Sequence, residues 1–232
     1  MNIAIIPARG GSKRIPRKNI KDFFGKPMLA YPIQAALQSG VIDKVVVSTD
    51  DAEIAEIAIK YGAEVPFLRQ PQLADDYTGT TEVIRDAISQ LQSLGWQLEH
   101  CACLYATTPL LDAGLIAELL HRLVATKADF VFTAARFAFP IQRALVLTEA
   151  GGVAPFDPAS ISKRSQDLTP TYHDAGQLYW AKASTWLDLQ KSVFSTNSQL
   201  YELPSHRVQD IDTPDDWRRA EYLYRMLQQE QS

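Results

Sequence analysis

Short apolar runs alternate along the chain with stretches whose apolar positions recur three and four apart. Ile3-Ala4-Ile5-Ile6 predicts a buried first strand. Leu29, Ile33, Ala36 and Leu37 share one helical face, with Pro27 near its start and Gly40 past its end. Val45-Val46-Val47 predicts a second buried strand, and the Ser48-Thr49-Asp50-Asp51 that follows caps a helix of Ile54, Ile57, Ala58 and Tyr61. Gly62 ends that helix, and residues 65–68 read as short and extended. A long polar connection, 69–81, is of the kind that is often functional. Thr80 or Thr81 then caps a helix of Val83, Ile84, Ala87, Ile88 and Leu91. Residues 102–105 form a strand, Asp112 caps a helix of Leu115, Leu119 and Leu123, and residues 130–133 form another strand.

The rhythm changes after Arg136. Residues 144–156 predict a hairpin around Gly151-Gly152, and residues 157–174 are polar and turn-rich. Residues 177–181 form a strand, 183–189 a short helix and 200–203 a strand. Thr213 as cap, Pro214 at the first position and two acids behind it start a closing helix that carries Trp217, Tyr222, Leu223 and Leu227. The alternation predicts an α/β fold, a doubly wound and mostly parallel sheet, in one domain spanning 1–232. Residues 137–171 read as an inserted lobe for substrate contact or dimerisation. In such sheets ligands bind beyond the carboxyl ends of the strands. The segments Arg9 to Asn19, Ser48 to Asp51 and Ala106 to Thr108 all fall there.

Composition narrows the picture. With 232 residues, 46% hydrophobic, the chain can bury a proper core, and 22% charge with 13 prolines argues against disorder. A net charge of −4 argues against general nucleic-acid binding. Cys101 and Cys103 stand two apart in an apolar strand, lack partners at metal spacing and read as core thiols. No stretch reaches the ~20 apolar residues of a membrane span, and the chain opens on a strand, so a soluble cytoplasmic protein is expected.

Against that acidic background, Arg9, Lys13, Arg14, Arg17, Lys18 and Lys21, six of the 23 Lys and Arg residues, precede the first acid at Asp22. Gly10 and Gly11 sit among them. Cations on a glycine-bearing turn at a strand end suit a polyphosphate, whose anionic oxygens both backbone N–H groups and cationic side chains favour. The pattern is neither a Walker A motif nor a Gly-x-Gly-x-x-Gly fingerprint. A solvated basic loop is the plain alternative. Late in the chain Asp210 and Asp212 flank Ile211 at the end of a predicted strand, so both carboxylates can face one ion. Oxygen ligands of that kind suit Mg²⁺, although capping of the next helix would also explain them.

The stretch Ile6-Pro7-Ala8-Arg9-Gly10-Gly11-Ser12-Lys13-Arg14-Ile15-Pro16-Arg17-Lys18-Asn19 resembles the signature of the CMP-sialic acid synthetases. Val47-Ser48-Thr49-Asp50, Leu68-Arg69, Leu73-Ala74-Asp75-Asp76, Gln166-Asp167-Leu168 and Asp210-Ile211-Asp212-Thr213 match in the same order. The segments Phe139 to Ala144 and Arg164 to Trp180 look like the pseudaminic acid branch of that family. So does Tyr105-Ala106-Thr107-Thr108-Pro109, where Tyr105 replaces a glutamine usual in the sialic acid branch. The resemblance implies a Rossmann-like nucleotidyltransferase that joins CTP to a nine-carbon acidic sugar and releases pyrophosphate. N-acetylneuraminate and legionaminate remain alternative sugars, and a nucleotide-sugar glycosyltransferase or a non-catalytic nucleotide-binding module are the other readings. It further implies that Arg9, Gly10, Ser12, Lys13 and Asn19 grip the triphosphate and that Lys18 faces the α-phosphate. Asp210 and Asp212 would hold Mg²⁺, and Arg69, Thr78 and Thr80 would lie against the cytosine. Tyr105, Gln142, Arg143, Arg164, Gln166, His173, Asp174 and Tyr179 are the sugar candidates. No nucleic acid or membrane partner is implied, and a homodimer is.

Overall fold

The computed structural model describes residues 1–75 and 77–230, so Asp76 of the quoted motif lies outside the described residues. β1 (Asn2–Pro7) leads through the basic loop into a small ribbon of β2 (Asp22–Phe23) and β3 (Lys26–Pro27). Then come α1 (Ala30–Gln38), β4 (Lys44–Ser48), α2 (Ala52–Lys60), α3 (Thr80–Ser93), β5 (His100–Leu104), α4 (Ala113–Thr126) and β6 (Phe130–Arg136). A hairpin of β7 (Leu145–Leu147) and β8 (Val153–Pro155) precedes β9 (Tyr172–Lys182), α5 (Ala183–Leu187), β10 (Ser198–Leu203) and α6 (Pro214–Glu230).

The main sheet runs β10-β6-β9-β5-β1-β4. β1 lies parallel to β4 and β5, and β10 parallel to β6, while β9 is antiparallel between β5 and β6. Side chains of a strand alternate between faces. Ile3 and Ile5 therefore pack with Ile84 and Ile88 of α3 and Trp186 of α5, and Ala4 and Ile6 with Ile33 of α1 and Ile116 and Leu119 of α4. Both faces are covered, which is why the strands read as unbroken apolar runs.

A third, smaller cluster positions the site. Ile15 of the basic loop, Phe23, Met28, Ile211, Trp217 and Ala220 pack together away from the sheet faces. Ile211 is fully buried there. Burying such a side chain stabilises by about 2 kcal/mol, and here it ties the start of the chain to the segment before α6.

Four local expectations give way. Leu37 and Tyr222 are exposed, because α1 and α6 bury narrower faces than their apolar spacing suggested; Tyr224 rather than Tyr222 packs on Phe23. The N-cap of α3 is Gly79, whose N–H is accepted by the Glu82 carboxylate at 3.2 Å; this leaves the Thr80 hydroxyl to reach the Tyr105 hydroxyl at 3.3 Å. Residues 172–174 are not irregular but open β9, because the far end of β6 offers them a ladder. Asp210 and Asp212 are not at a strand end: β10 stops at Leu203, and the two acids lie in the loop after the turn Ser205–Arg207. Their placement comes from the buried Ile211 between them, not from a pleat.

Candidate active site

The loop after β1 is folded back on β4 and α2. Gly10 donates its N–H to Asp50 Oδ1 at 3.0 Å, and a Cβ at Gly10 would lie 2.6 Å from Asp51 Oδ2. Arg17, in the left-handed region at φ 56°, grips Asp51 with both terminal nitrogens and Glu53 with one at 2.5 Å. Asp51 also caps α2 by accepting from Ile54 at 3.0 Å. The Arg17 hydrogen bonds, foremost among the causes, hold the Asp51 carboxyl down at about 2. Lys21 lies 4.4 Å from the Trp217 ring centroid. Of the six clustered cations, Arg17 and Lys21 thus serve the fold.

The others face a cleft of about 460 Å³ lined by Arg9, Ser12, Lys13, Arg14, Lys18, Asn19, Thr80, Tyr105, Thr107 and Asp212. A continuation of about 350 Å³ shares Arg9, Lys18, Thr80, Tyr105 and Asp212 and adds Arg69, Asp75, Thr78 and Asp210. Lys18 donates to the Ile211 carbonyl and sits 3.2 Å from Asp212 Oδ1, across 194 positions of sequence. Arg14 reaches Asp212 Oδ2 at 2.8 Å. Arg9 donates to the Asp75 carbonyl at 2.5 Å, and Asn19 donates to the Arg9 carbonyl at 2.9 Å. Arg69 is buried on Ser48, its Nε donating to the hydroxyl at 3.1 Å, and burial lowers its pKa. Gly10 shapes the loop but does not line the cleft.

A further cavity of about 390 Å³ meets the cleft at Thr80 and Tyr105. Asp174 and Tyr179 line it with Arg85, Trp186, Lys191 and Phe194. The remaining sugar candidates are elsewhere. Gln142 donates to the Thr169 carbonyl at 2.9 Å, Arg143 to the Ser165 hydroxyl at 3.2 Å, and Arg164 forks onto Asp167. Gln166 lines a groove beside Pro140 and Leu203, and the His173 ring packs on Phe137. None of these five lines the cleft or the adjoining cavity of its own chain.

A family model described as Cytidylyltransferase matches residues 3–203. The chain belongs to the cytidylyltransferase family. A relative from Campylobacter jejuni, a pseudaminic acid cytidylyltransferase, is 47% identical over 225 residues, covering 97% of each chain. A CMP-N,N'-diacetyllegionaminic acid synthase from Legionella pneumophila is 32% identical over 98% of this chain and 97% of its own. The solved structure of a CMP:2-keto-3-deoxy-manno-octonic acid synthetase complexed with CTP superposes with a TM-score of 0.71 at 18% identity, covering 98% of this chain and 99% of that one, which shows the fold.

In this cytidylyltransferase, Asp210 and Asp212 lie beyond the matched stretch and share the cleft wall. Burial in the wall, away from water, pushes the Asp210 carboxyl above its usual range; the Asp212 charge adds to this and Lys18 opposes it. Two carboxylates on one cleft wall, one of them disfavoured as an anion by its burial, fit a hard dication. Among the described residues no group of three or more His, Cys, Asp or Glu side chains could hold a metal, so such an ion would complete its shell with phosphate and water. Sequence reading missed Arg85 and Lys191. Arg85 stands four residues after Thr81 on α3, a spacing that shares a helix face, whereas Lys191 lies in a loop with no periodic signal.

Proposed function

We propose that this chain is a pseudaminic acid cytidylyltransferase, converting CTP and pseudaminic acid into CMP-pseudaminic acid and pyrophosphate. The observation that carries the reading is the meeting of Lys18 and Asp212 at 3.2 Å inside the cationic cleft. The identity with the Campylobacter jejuni relative, 47% over 97% of the chain, supports the choice of sugar.

The triphosphate lies along Arg9, Ser12, Lys13 and Lys18, and the base lies toward Arg69, Thr78 and Thr80. The sugar's anomeric hydroxyl attacks the α-phosphorus and releases its proton to water; a P–O bond forms to the sugar, the bond to the bridging oxygen breaks, and pyrophosphate leaves with its electron pair. Lys18 is placed to stabilise charge that develops on the α-phosphate. Positioning of the two reactants supplies much of the rest. Asp210 and Asp212 would hold Mg²⁺, which when bound neutralises phosphate charge. The sugar extends past Tyr105 into the adjoining cavity, whose wall includes Asp174 and Tyr179. We place the enzyme in the cytoplasm and take it as a homodimer joined through the lobe at residues 137–171.

Purified protein with CTP and Mg²⁺ should release pyrophosphate on addition of pseudaminic acid. Turnover only with N-acetylneuraminate or legionaminate moves it to a sister specificity. Absence of pyrophosphate with every nonulosonic acid overturns the reading and favours a glycosyltransferase or a binding module.

A further inference from the structure

Asp212 carries two cations in the cleft. Lys18 sits 3.2 Å from its Oδ1, and Arg14 donates to its Oδ2 at 2.8 Å. The two are held differently. Lys18 also donates to the Ile211 carbonyl, and its side chain is 17% exposed. The Arg14 side chain is 66% exposed. An exposed ion pair shifts an equilibrium by only about five-fold or less, so Arg14 can leave Asp212 at little cost. Asp212 cannot follow it. Its N–H donates to Asp216 Oδ2 at 3.2 Å, the next N–H, of Thr213, donates to the same oxygen at 2.8 Å, and Ile211 before it is fully buried.

The cavities put these groups in order. Asp212 and Lys18 line both the main cleft and its continuation. Asp210 lines the continuation, whereas Arg14 lines the main cleft beside Ser12, Lys13 and Asn19. Arg14 thus reaches Asp212 from the side of the basic loop. Two carboxylates, Asp210 and Asp212, face two cations, Arg14 and Lys18. Their charges sum to zero, so these four groups offer an approaching dication no net Coulomb attraction. A polyphosphate entering along the loop breaks that balance. It offers the Arg14 guanidinium anionic oxygens, which suit its fork at least as well as one carboxylate oxygen does. Asp212 Oδ2 is then left facing the phosphates without its cation.

We propose that Arg14 neutralises Asp212 in the empty cleft and moves to the phosphates when the nucleotide binds, so that the carboxylate is released to a divalent cation at that moment. This rests on the function proposed above and deepens it: one arginine couples metal binding to nucleotide binding. The coupling is reciprocal, each ligand favouring the other by the same factor.

The test is equilibrium binding to the full chain without the sugar, so that nothing turns over. Mn²⁺ alone is titrated by electron paramagnetic resonance, and CTP alone by calorimetry in the presence of a chelator. Arg14→Met should bind free Mn²⁺ roughly five-fold more tightly than the parent, the worth of one exposed ion pair. It should bind metal-free CTP roughly five-fold more weakly, because a charged hydrogen bond to phosphate is gone. Arg14→Lys keeps the charge and should return both affinities toward the parent values. Asp212→Asn frees Arg14 and should tighten metal-free CTP, a gain that shrinks once Arg14→Met is added. A structural role for Arg14 would not move the two affinities in opposite directions. A Mn²⁺ affinity that is equal in parent and Arg14→Met, undetectable in both, or lowered together with that for CTP overturns the proposal. Should Arg14→Met fail to fold, Asp212→Asn decides alone: metal-free CTP held no more tightly than by the parent removes the exchange. A parent that binds no CTP even with Mg²⁺ present would instead count against the proposed function.

Discussion

The Lys18 ammonium rests between the Ile211 carbonyl and Asp212, with its side chain only 17% exposed. A cation held this way needs little reorganisation when a phosphate develops charge beside it. Lys18→Met should lower kcat about 100-fold or more, measured as pyrophosphate release, while leaving the melting temperature near that of the parent. Loss of less than ten-fold would remove Lys18 from the chemistry. The thiols make the opposite case. Burial pushes Cys101 up to about 12 and Cys103 higher still. Since only the thiolate attacks, neither should be alkylated in native protein at pH 8, and both should react once unfolded, as mass spectrometry can follow. Residue types were legible from sequence here, but directions were not. Counting cations cannot reveal that Arg17 turns back onto Asp51 and Glu53; that depends on its left-handed backbone and on acids more than thirty positions away, with Asp51 at a separation of 34.

The basic loop behaves as an element because three anchors hold it: Gly10 on Asp50, Arg17 on Asp51, and Ile15 in the cluster with Ile211. Gly10→Ala should raise the KM for CTP, because Asp51, which crowds the new methyl, is already held by Arg17 and by Ile54 and cannot yield freely. Unaltered nucleotide kinetics would show that the loop relaxes at no cost. The Arg17–Asp51 pair also sets an acid limit. The folded pKa of about 2 lies below the ordinary 3.8, so its stabilisation is present above 3.8 and is lost as pH falls from there through about 2. Acid unfolding curves of the parent and Asp51→Asn should therefore converge over that window. Elements with a strong period were readable in sequence, as the five buried positions of α3 illustrate. The bulge in β9 was not, since residues 172–174 carry no alternation and pair only because β6 runs on to Arg136.

At the scale of the molecule, alternating strands and helices were enough to read a doubly wound sheet. The antiparallel entry of β9 was not readable, since an apolar run has no direction. What the sheet leaves uncovered is the hairpin of β7 and β8. Leu147 is 83% exposed, Phe139 likewise 83%, and Leu145, Val153 and Phe156 are each more than 60% exposed. A two-stranded hairpin is marginally stable alone in water, and exposed apolar side chains on and beside it suit an interface. In the homodimer proposed above a second copy of the chain would cover it, since two-fold homodimers present one patch to itself. Light scattering at micromolar concentration should give twice the mass of one chain for the parent. Leu147→Glu combined with Phe156→Glu should give the mass of one chain, because unpaired carboxylates cannot be buried against each other, with secondary structure by circular dichroism unchanged. A parent that runs as a single chain, or a double variant that stays paired, would separate the hairpin from assembly and leave its apolar face to some other partner.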